Sequence, residues 1–531
     1  MKATTKAFLC ASALALAPLL AGCSAPDPLT VKTAQGTVHG AETGAMRHFL
    51  GIPYAQPPVG DLRWVAPQAP ASFTATRDAT AFGAHCPQPE AAPTNYSGSE
   101  DCLFLNVYTP KTAGAHAVMV WFHGGAFYFG RSESYDPARL VAQDVVVVTV
   151  NYRLGALGFL AHPALKDGDG SSGNYGLLDQ VAALRWVKAN IASFGGDPNN
   201  VTIFGQSAGG ASVLSHLAST GASAGLFHKA IVESGGYILT GAGIPTGTAA
   251  QASGAAAAAD LFGCPNDANA ARCLRALAVD LIVRKQPAAL TSNRPNIDGR
   301  FLTKDIKAAL QAGTFNVVPV LEGSTHDEFT SFVGTYERAL SGTIGAPLTA
   351  ASYPSYLAAV NGGNPRTPAQ NSITSVYPLA SYGGSAPVAF AAALTDASFA
   401  CNRRLEAKAI SAKAAVYSYE FNDPAAPAAL PADPRFAYKA YHASEVQYLF
   451  TLPARQNVDA QSLSAGQQAL ATDMAGYWAR FAMTGDPNGA GRTGWPAFDA
   501  SERVLQLAPG ASTVITSFAS DHKCSEWTPG L

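Results

Sequence analysis

Short apolar segments alternate with segments of helical periodicity along most of this chain. Residues 118–122, 145–150 and 201–204 are rich in β-branched and aromatic side chains, which is typical of strands buried on both faces. Residues 178–191 carry apolar side chains at helical spacing and end before a turn with glycine and proline at 194–198. Strands that alternate with helices form right-handed crossover units. The pattern therefore predicts an α/β fold with a mostly parallel central sheet flanked by helices.

Two long regions interrupt this alternation. Residues 241–259 are rich in alanine, and residues 341–387 are rich in glycine, proline and serine. Neither region has a clear strand signal, whereas residues 230–232, 317–321 and 416–421 do. We expect the two regions to be helices and loops inserted above the sheet, where a substrate gorge would lie.

The N-terminus has the pattern of an export signal. Lys2 and Lys6 precede an apolar run, residues 7–20, which is too short to span a membrane. The run ends in small residues before Cys23, as in a bacterial lipobox, where the thiol is lipidated. The alternative is an ordinary cleaved signal with Cys23 incidental. We expect a lipoprotein signal peptide over 1–22, a tether over 23–35 and a single domain over 36–531. The protein would be exported and anchored to the bacterial cell envelope by lipid at Cys23, or otherwise secreted.

Composition narrows the possible partners. The 531 residues carry a formal net charge of −2, and only 14% of them are charged. No basic excess is available to neutralise a phosphate backbone, so the chain is not expected to bind nucleic acid.

Cysteine usage fits export. Eight cysteines are present, of which Cys10 lies in the signal and Cys23 is the lipidation candidate. The other six are Cys86, Cys102, Cys264, Cys273, Cys401 and Cys524. An even number in an exported protein favours disulfides, and the absence of a Cys-x-x-Cys pair argues against a zinc site. The spacing alone leaves the pairing open.

A nucleophile motif follows the strand predicted at 201–204. Residues 205–209 read Gly-Gln-Ser-Ala-Gly, which fits the G-x-S-x-G elbow, and a helical pattern follows them. The glycines permit a sharp turn that exposes the hydroxyl of Ser207. Ala208 begins the next helix, so its N–H would point at a developing oxyanion.

An oxyanion loop is predicted after the strand at 118–122. His123, Gly124 and Gly125 match the loop that esterases use, and each glycine would donate an N–H alongside Ala208. His123 precedes the nucleophile, whereas the base of this fold follows it. We therefore expect His123 to hold the loop. The aromatic residues 127–129 would either line a gorge or belong to the core.

The candidate base is His442, which lies in a loop before an amphipathic segment. In α/β folds with a G-x-S-x-G elbow, the chain order of the triad is serine, acid, histidine. Among the other histidines after Ser207, we expect His216 and His228 to be structural, His326 to be a loop residue, and His522 to belong with the nearby Cys524.

The candidate acid follows a predicted strand, but the pattern leaves four competitors. Glu322, Asp327 and Glu328 cluster on the turn after residues 317–321, and Asp423 follows residues 416–421. Nothing in the residue pattern separates Glu328 from its rivals.

At this point the sequence resembles the type-B carboxylesterase and cholinesterase family over nearly the whole mature chain. The matching stretches are residues 49–55 (FLGIPYA), 99–107 (SEDCLFLNV), 151–155 (NYRLG), 173–180 (GNYGLLDQ), 194–198 (FGGDP) and 478–488 (WARFAMTGDPN). The resemblance implies the α/β-hydrolase fold and glutamate as the acid in a G-x-x-x-D-E context, which promotes Glu328. The H-x-x-E-V context of the family falls on His442. The resemblance also implies the disulfides Cys86–Cys102, Cys264–Cys273 and Cys401–Cys524.

Two departures from the family pattern affect function. Gln206 stands before the nucleophile where the family usually has glutamate, and we expect it to take no part in a proton-transfer step. The loop between Cys86 and Cys102 has no tryptophan. Cholinesterases place an aromatic platform for a quaternary ammonium there, so choline esters are disfavoured as dedicated substrates.

The expected function is hydrolysis of small to medium apolar carboxylic esters through Ser207, His442 and Glu328, with no metal and no organic cofactor. Two other functions compete with it. Some relatives with this fold are binding modules that have lost the serine or histidine. A hydrolase of amides, carbamates or thioesters would have the same triad, because the shape of the pocket selects the bond. The oligomeric state is not predicted.

Overall fold

An eleven-stranded sheet forms the centre of the computed structural model, which describes residues 27–90, 95–236, 243–286, 294–361, 370–428, 430–453 and 463–527. Its strands are β1 (Ala41–Thr43), β2 (Met46–Pro53), β3 (Phe104–Pro110), β4 (His116–Phe122), β5 (Val146–Val150), β6 (Gly196–Gln206), β7 (Lys229–Glu233), β8 (Val320–Thr325), β9 (Val416–Phe421), β10 (Val504–Leu507) and β11 (Thr513–Ile515). Their spatial order is β11-β10-β9-β8-β7-β6-β4-β5-β3-β2-β1. The neighbours from β5 through β10 pair in parallel, and the strands at both edges pair antiparallel. The prediction of a mostly parallel sheet is confirmed.

Helices cover both faces of the sheet. The longer ones are α1 (Tyr175–Asn190), α2 (Ala208–Ala218), α3 (Gly247–Phe262), α4 (Val333–Ile344), α5 (Tyr353–Asn361), α6 (Ala386–Thr395), α7 (Cys401–Ser411) and α8 (Ala465–Thr484). Shorter helices occupy Ala138–Val141, Gly155–Phe159, Ala270–Arg275, Val279–Lys285, Ile306–Gln311, Gln370–Val376, Val446–Leu449, Phe518–Asp521 and Cys524–Trp527.

The two faces of β4 show how the core is divided. Val118 and Val120 belong to one hydrophobic cluster, together with apolar residues of α1 and α2. Met119 and Trp121 point to the other face and belong to a cluster that includes much of α8. Side chains alternate along a strand, so a strand covered on both faces reads as a continuous apolar run. This burial explains why β4 and β5 could be recognised in the sequence.

Two strands differ from the predicted boundaries. β6 begins at Gly196, inside the turn expected at 194–198, and an irregularity between Gly196 and Val201 separates its two paired parts. β8 spans Val320–Thr325 rather than 317–321, because Val317 is 52% exposed and the buried positions begin at Val320.

Where the structure describes them, the two regions without strand signals consist of helices and loops. Helix α3 covers most of 241–259, and helices α4, α5 and Gln370–Val376 fall in or overlap 341–387. Leu357 and Tyr377 of the second region belong to a separate hydrophobic cluster, which also contains Phe329 and Phe390 from outside it.

The N-terminal segment is described only from residue 27. The expected signal peptide and Cys23 lie outside the described residues. Thr30–Lys32, inside the expected tether, pairs antiparallel with Thr37–His39, because Val31 is buried in the core. No helix in the described part of the chain is long and apolar enough to cross a membrane.

Three disulfides are present in the structure. They join Cys86 to Cys102, Cys264 to Cys273 and Cys401 to Cys524. These are the pairings that the family resemblance implied.

Candidate active site

The turn that carries Ser207 joins the end of β6 to the start of α2. Ser207 has φ 58° and ψ −120°, an uncommon conformation for a residue with a side chain. A Cβ added to Gly209 would lie 1.9 Å from the carbonyl oxygen of Phe122, and one added to Gly205 would lie 2.6 Å from the backbone of Gly209. Both glycines are therefore required by close backbone approach, as the elbow motif predicts.

The glycine loop after β4 lies against this turn. A Cβ on Gly124 would be 3.2 Å from Cβ of Ser207 and 2.9 Å from the carbonyl oxygen of Gln206. Gly125, Ala126 and Phe127 follow with φ values of 109°, 56° and 57°. Three successive positive φ values form a strained loop that brings backbone groups close to the serine.

His123 supports this loop from below. Its ring stacks on Tyr152, with 4.4 Å between ring centroids, and its Nδ1 donates to the carbonyl oxygen of Gly124 at 2.8 Å. Tyr152 donates to the carbonyl oxygen of His123 at 2.6 Å. Burial lowers the pKa of His123 to about 4, so the ring is neutral near pH 7. These contacts support the expected role in holding the loop.

His442 and Glu328 are in direct contact. Nδ1 of His442 lies 2.5 Å from Oε2 of Glu328, which is fully buried on the turn after β8. The other carboxylate oxygen of Glu328 accepts the backbone N–H of Thr325 at 2.9 Å. The backbone N–H of His442 donates to the carbonyl oxygen of Glu328 at 3.2 Å. Both the side chain and the backbone of Glu328 therefore orient His442.

The three rival acids have other partners. Glu322 accepts from the Ser418 hydroxyl at 2.5 Å, and Asp327 lies 3.1 Å from Nδ1 of His326. Asp423 accepts from the amide of Gln467 at 2.7 Å. Of the four competitors, the structure brings Glu328 to the imidazole.

Two aromatic rings pack against the imidazole of His442. Phe332 and Phe399 lie with ring centroids 5.0 and 5.1 Å from the imidazole, both tilted to it. Phe127 is buried and packs against Phe159, whereas Phe129 is 44% exposed. Phe127 therefore belongs to the core, and sequence reasoning missed Phe332 and Phe399 as neighbours of the base.

Gln206 reaches the same imidazole from the opposite side. Its Nε2 lies 3.3 Å from Nε2 of His442. In the structure this amide, and not the Ser207 hydroxyl, is the hydrogen-bond partner of Nε2. We did not expect this contact from the sequence, and it places Gln206 against the atom that would receive the serine proton. The position of Gln206 next to Ser207 was the only sequence signal of this contact.

Two further carboxyl groups lie buried behind the site. Glu233, the last residue of β7, accepts from Nε1 of Trp478 at 2.7 Å, and burial raises its pKa to about 8. Burial, together with the charges of Glu328 and Glu233, raises the pKa of Glu445 well above its ordinary value. Burial therefore favours the protonated, uncharged form of both groups near neutral pH.

The remaining histidines have structural partners. His216 contacts Gln180 and Ser223, and burial lowers its pKa to about 3. Nδ1 of His228 accepts from the backbone N–H of Val201 at 3.1 Å. Burial disfavours charge on His522, but Asp396 and Glu420 outweigh burial and raise its pKa to about 10. This buried ion cluster, which the sequence did not reveal, adjoins the disulfide at Cys524.

The parallel sheet, the serine elbow after β6 and the loop after β4 define the α/β-hydrolase fold. The chain matches the carboxylesterase family over residues 27–527. It therefore belongs to that family and is a type-B carboxylesterase.

Individual relatives are similar over most of their length. Para-nitrobenzyl esterase of Bacillus subtilis (strain 168) is 34% identical over 91% of this chain and 95% of the relative. Fumonisin B1 esterase of Sphingopyxis macrogoltabida is 35% identical over 90% of this chain and 86% of the relative. Acylcarnitine hydrolase of Mus musculus is 36% identical over 88% of this chain and 85% of the relative. A solved structure of PNB esterase superimposes with a TM-score of 0.75 at 30% identity, over 95% of this chain and 100% of that one.

Proposed function

We propose that the protein hydrolyses small to medium apolar carboxylic esters through a triad of Ser207, His442 and Glu328. The observation that carries this proposal is the 2.5 Å contact between His442 and Glu328 beside the strained serine elbow. The three residues follow the carboxyl ends of parallel strands β6, β8 and β9, the edge where sites form in open α/β sheets.

The reaction begins when Ser207 attacks the ester carbonyl carbon and its proton passes to Nε2 of His442. Glu328 holds the other ring nitrogen and stabilises the imidazolium. The carbonyl oxygen, now negative, is stabilised by the N–H groups of Gly124, Gly125 and Ala208. His442 then gives the proton to the alcohol oxygen as the C–O bond breaks, which leaves an acyl-serine.

Water completes the cycle. His442 takes a proton from water as the water oxygen attacks the acyl carbon, and returns it to Ser207 as the carboxylic acid leaves. The serine proton leaves with the alcohol and a proton from water replaces it, so the proposed cycle balances without a metal or organic cofactor.

An apolar substrate fits the surroundings of the base. Phe332 and Phe399 present uncharged aromatic surface beside His442. The loop between Cys86 and Cys102 has no tryptophan to serve as a platform for a quaternary ammonium. We therefore favour neutral acyl and alcohol groups over choline esters.

The test is turnover of p-nitrophenyl acetate, butyrate and octanoate by the disulfide-bonded chain. We expect wild type to hydrolyse them and Ser207→Ala to lose at least about a thousandfold in kcat. Ser215→Ala is the matched control, since its hydroxyl donates to a carbonyl oxygen within the same helix. Folded wild type that turns over none of the esters would indicate a binding module instead.

We also infer that the mature chain is anchored by lipid at Cys23, after removal of residues 1–22. The apolar run and the small residues before Cys23 support this inference. Metabolic labelling with a clickable fatty acid in a bacterial host should tag wild type and not Cys23→Ser. Equal labelling of both, or of neither, would contradict it.

A further inference from the structure

Gln206 connects the two halves of the candidate site. It is the last residue of β6, and its side chain is almost fully buried. Its Oε1 would lie 3.0 Å from a Cβ added to Gly124, so the amide packs against the oxyanion loop. Its Nε2 lies 3.3 Å from Nε2 of His442. One side chain therefore contacts both the loop that would bind the oxyanion and the base.

The hydrogen bonds of His442 indicate which partner donates to the other. Nδ1 faces the carboxylate oxygen of Glu328, which accepts, so Nδ1 carries the hydrogen. A neutral imidazole then has its lone pair on Nε2. Two nitrogens this close form a hydrogen bond only when one donates, and here the donor is the Gln206 amide. The amide therefore occupies the lone pair that would accept the serine proton.

A hydrogen bond donated to a neutral base stabilises the neutral form. An imidazolium at His442 would turn an N–H toward the amide N–H and lose this bond. A glutamate at the same position would do the opposite, because its negative charge would stabilise the imidazolium. The same charge would lie against Gly124 and oppose an oxyanion there.

We propose that Gln206 is a positioning residue that keeps His442 unprotonated in the resting enzyme. When substrate binds, the Gln206 amide leaves Nε2 of His442, whose lone pair can then accept the proton of Ser207. The inference rests on the proposed function, in which His442 is the base. Its consequence is an esterase that stays active at lower pH than the same site would with glutamate at this position.

Several other groups lie near His442, but among the described residues Gln206 is the one that contacts Nε2. We therefore assign to Gln206 the balance between the neutral and the protonated imidazole. Glu328 approaches Nδ1 from the turn after β8, and the rings of Phe332 and Phe399 are uncharged. Glu445 on the same loop and Glu233 on β7 are buried carboxyls whose pKa values are raised by burial. From α7, Arg403 carries a positive charge that interacts with Glu328.

The experiment compares the pH dependence of kcat/KM for wild type, Gln206→Met and Gln206→Glu with p-nitrophenyl butyrate. The acid side of this profile reports the base of the free enzyme. Methionine keeps the shape and removes the donor, so the midpoint of the acid limb should rise by a few tenths of a pH unit. Glutamate adds a charge within contact distance and should raise it by about one unit or more.

Gln180→Met is the matched control, since Gln180 makes a comparable buried contact with His216 at 3.0 Å. It should leave the acid limb unchanged. The pH dependence of organophosphate labelling at Ser207 gives a second readout that does not depend on substrate binding, and Gln206→Glu is nearly isosteric if Gln206→Met fails to fold.

Wild type and Gln206→Glu with coincident acid limbs would overturn the inference, as would a limb that moves to lower pH. Failure of the proposed function looks different, because then folded wild type would show no turnover and no labelling at any pH.

Discussion

Glu328 illustrates how much a single residue depends on the folded structure. It is fully buried, its Oε1 accepts from Thr325 and its Oε2 faces His442. This arrangement leaves one carboxylate oxygen to fix the imidazole with its hydrogen on Nδ1. The identity of the side chain at this position therefore controls which ring nitrogen has the lone pair.

Glu328→Gln should lower kcat by about a hundred- to ten-thousandfold with little change in KM. An amide can donate to Nδ1, which favours the tautomer with its hydrogen on Nε2 and removes the base. Kinetics with p-nitrophenyl butyrate measure the effect.

The control is Glu322→Gln, at a rival acid whose pKa burial raises to about 7 and which bonds Ser418. We expect it to keep kcat within a few fold. Loss of activity in Glu322→Gln with retention in Glu328→Gln would reverse the assignment.

The sequence could predict the nucleophile but not every neighbour of the base. Ser207 is marked by glycines at fixed spacing, because close backbone contacts require them. Four carboxyl groups competed for the acid, because their side-chain directions are set only in the fold, and the family resemblance favoured Glu328. The contact between Gln206 and His442 joins residues 236 positions apart, and the position of Gln206 next to Ser207 was its only signal in the sequence.

At the scale of elements, the end of β7 is joined to α8 by a buried polar contact. Glu233 accepts from Trp478, and its second oxygen has no hydrogen-bond partner. A lone carboxylate in this position would pay a large desolvation cost, so the folded protein binds a proton there. This proton couples the contact to pH.

The free energy of unfolding should fall as the pH rises, and Glu233→Gln should make this fall smaller. The folded pKa is about 8, above the ordinary 4.5, so the contribution of Glu233 is complete below pH 4.5. It falls as the pH rises from 4.5 to about 8, because the unfolded state releases its proton first.

Urea unfolding at pH 5 and pH 9 measures the effect. The free energy of unfolding should drop less between these values in Glu233→Gln than in wild type. Equal drops in the two proteins would show that Glu233 is ionised in the fold.

Elements buried on both faces were the most predictable. β4 and β5 were predicted to within about two residues, because their apolar runs are continuous. The strands β1, β2, β3, β10 and β11 were not predicted. β1 and β11 lie at the edges of the sheet and are partly exposed, whereas β3 is buried throughout but its run is interrupted by Asn106, Thr109 and Pro110. β8 was placed three residues too early, because the exposed Val317 reads like a core residue.

At the scale of the whole molecule, disulfides tie distant parts of the chain together. Cys401–Cys524 closes a separation of 123 residues and holds the C-terminal helices against α7, beside the His522 ion cluster. Cys264–Cys273 closes a separation of only nine. Cross-links over longer loops restrict the unfolded chain more.

Replacement of both cysteines by serine should cost about 5 kcal/mol at Cys401–Cys524 and about 3 kcal/mol at Cys264–Cys273, on the chain-entropy model. The midpoint of thermal unfolding should therefore fall further in the double variant that lacks Cys401–Cys524 than in the one that lacks Cys264–Cys273. A larger loss from the short loop would contradict a dominant entropic effect.

The sheet as a whole brings the candidate triad together, because β6, β8 and β9 end at the same edge. The most direct test of this assembly is covalent labelling of the folded, disulfide-bonded chain with diisopropyl fluorophosphate, followed by peptide mass analysis. The account predicts one adduct per chain, on Ser207, with loss of esterase activity in proportion to labelling. An adduct on another residue, or none on a folded chain, would contradict a catalytic Ser207.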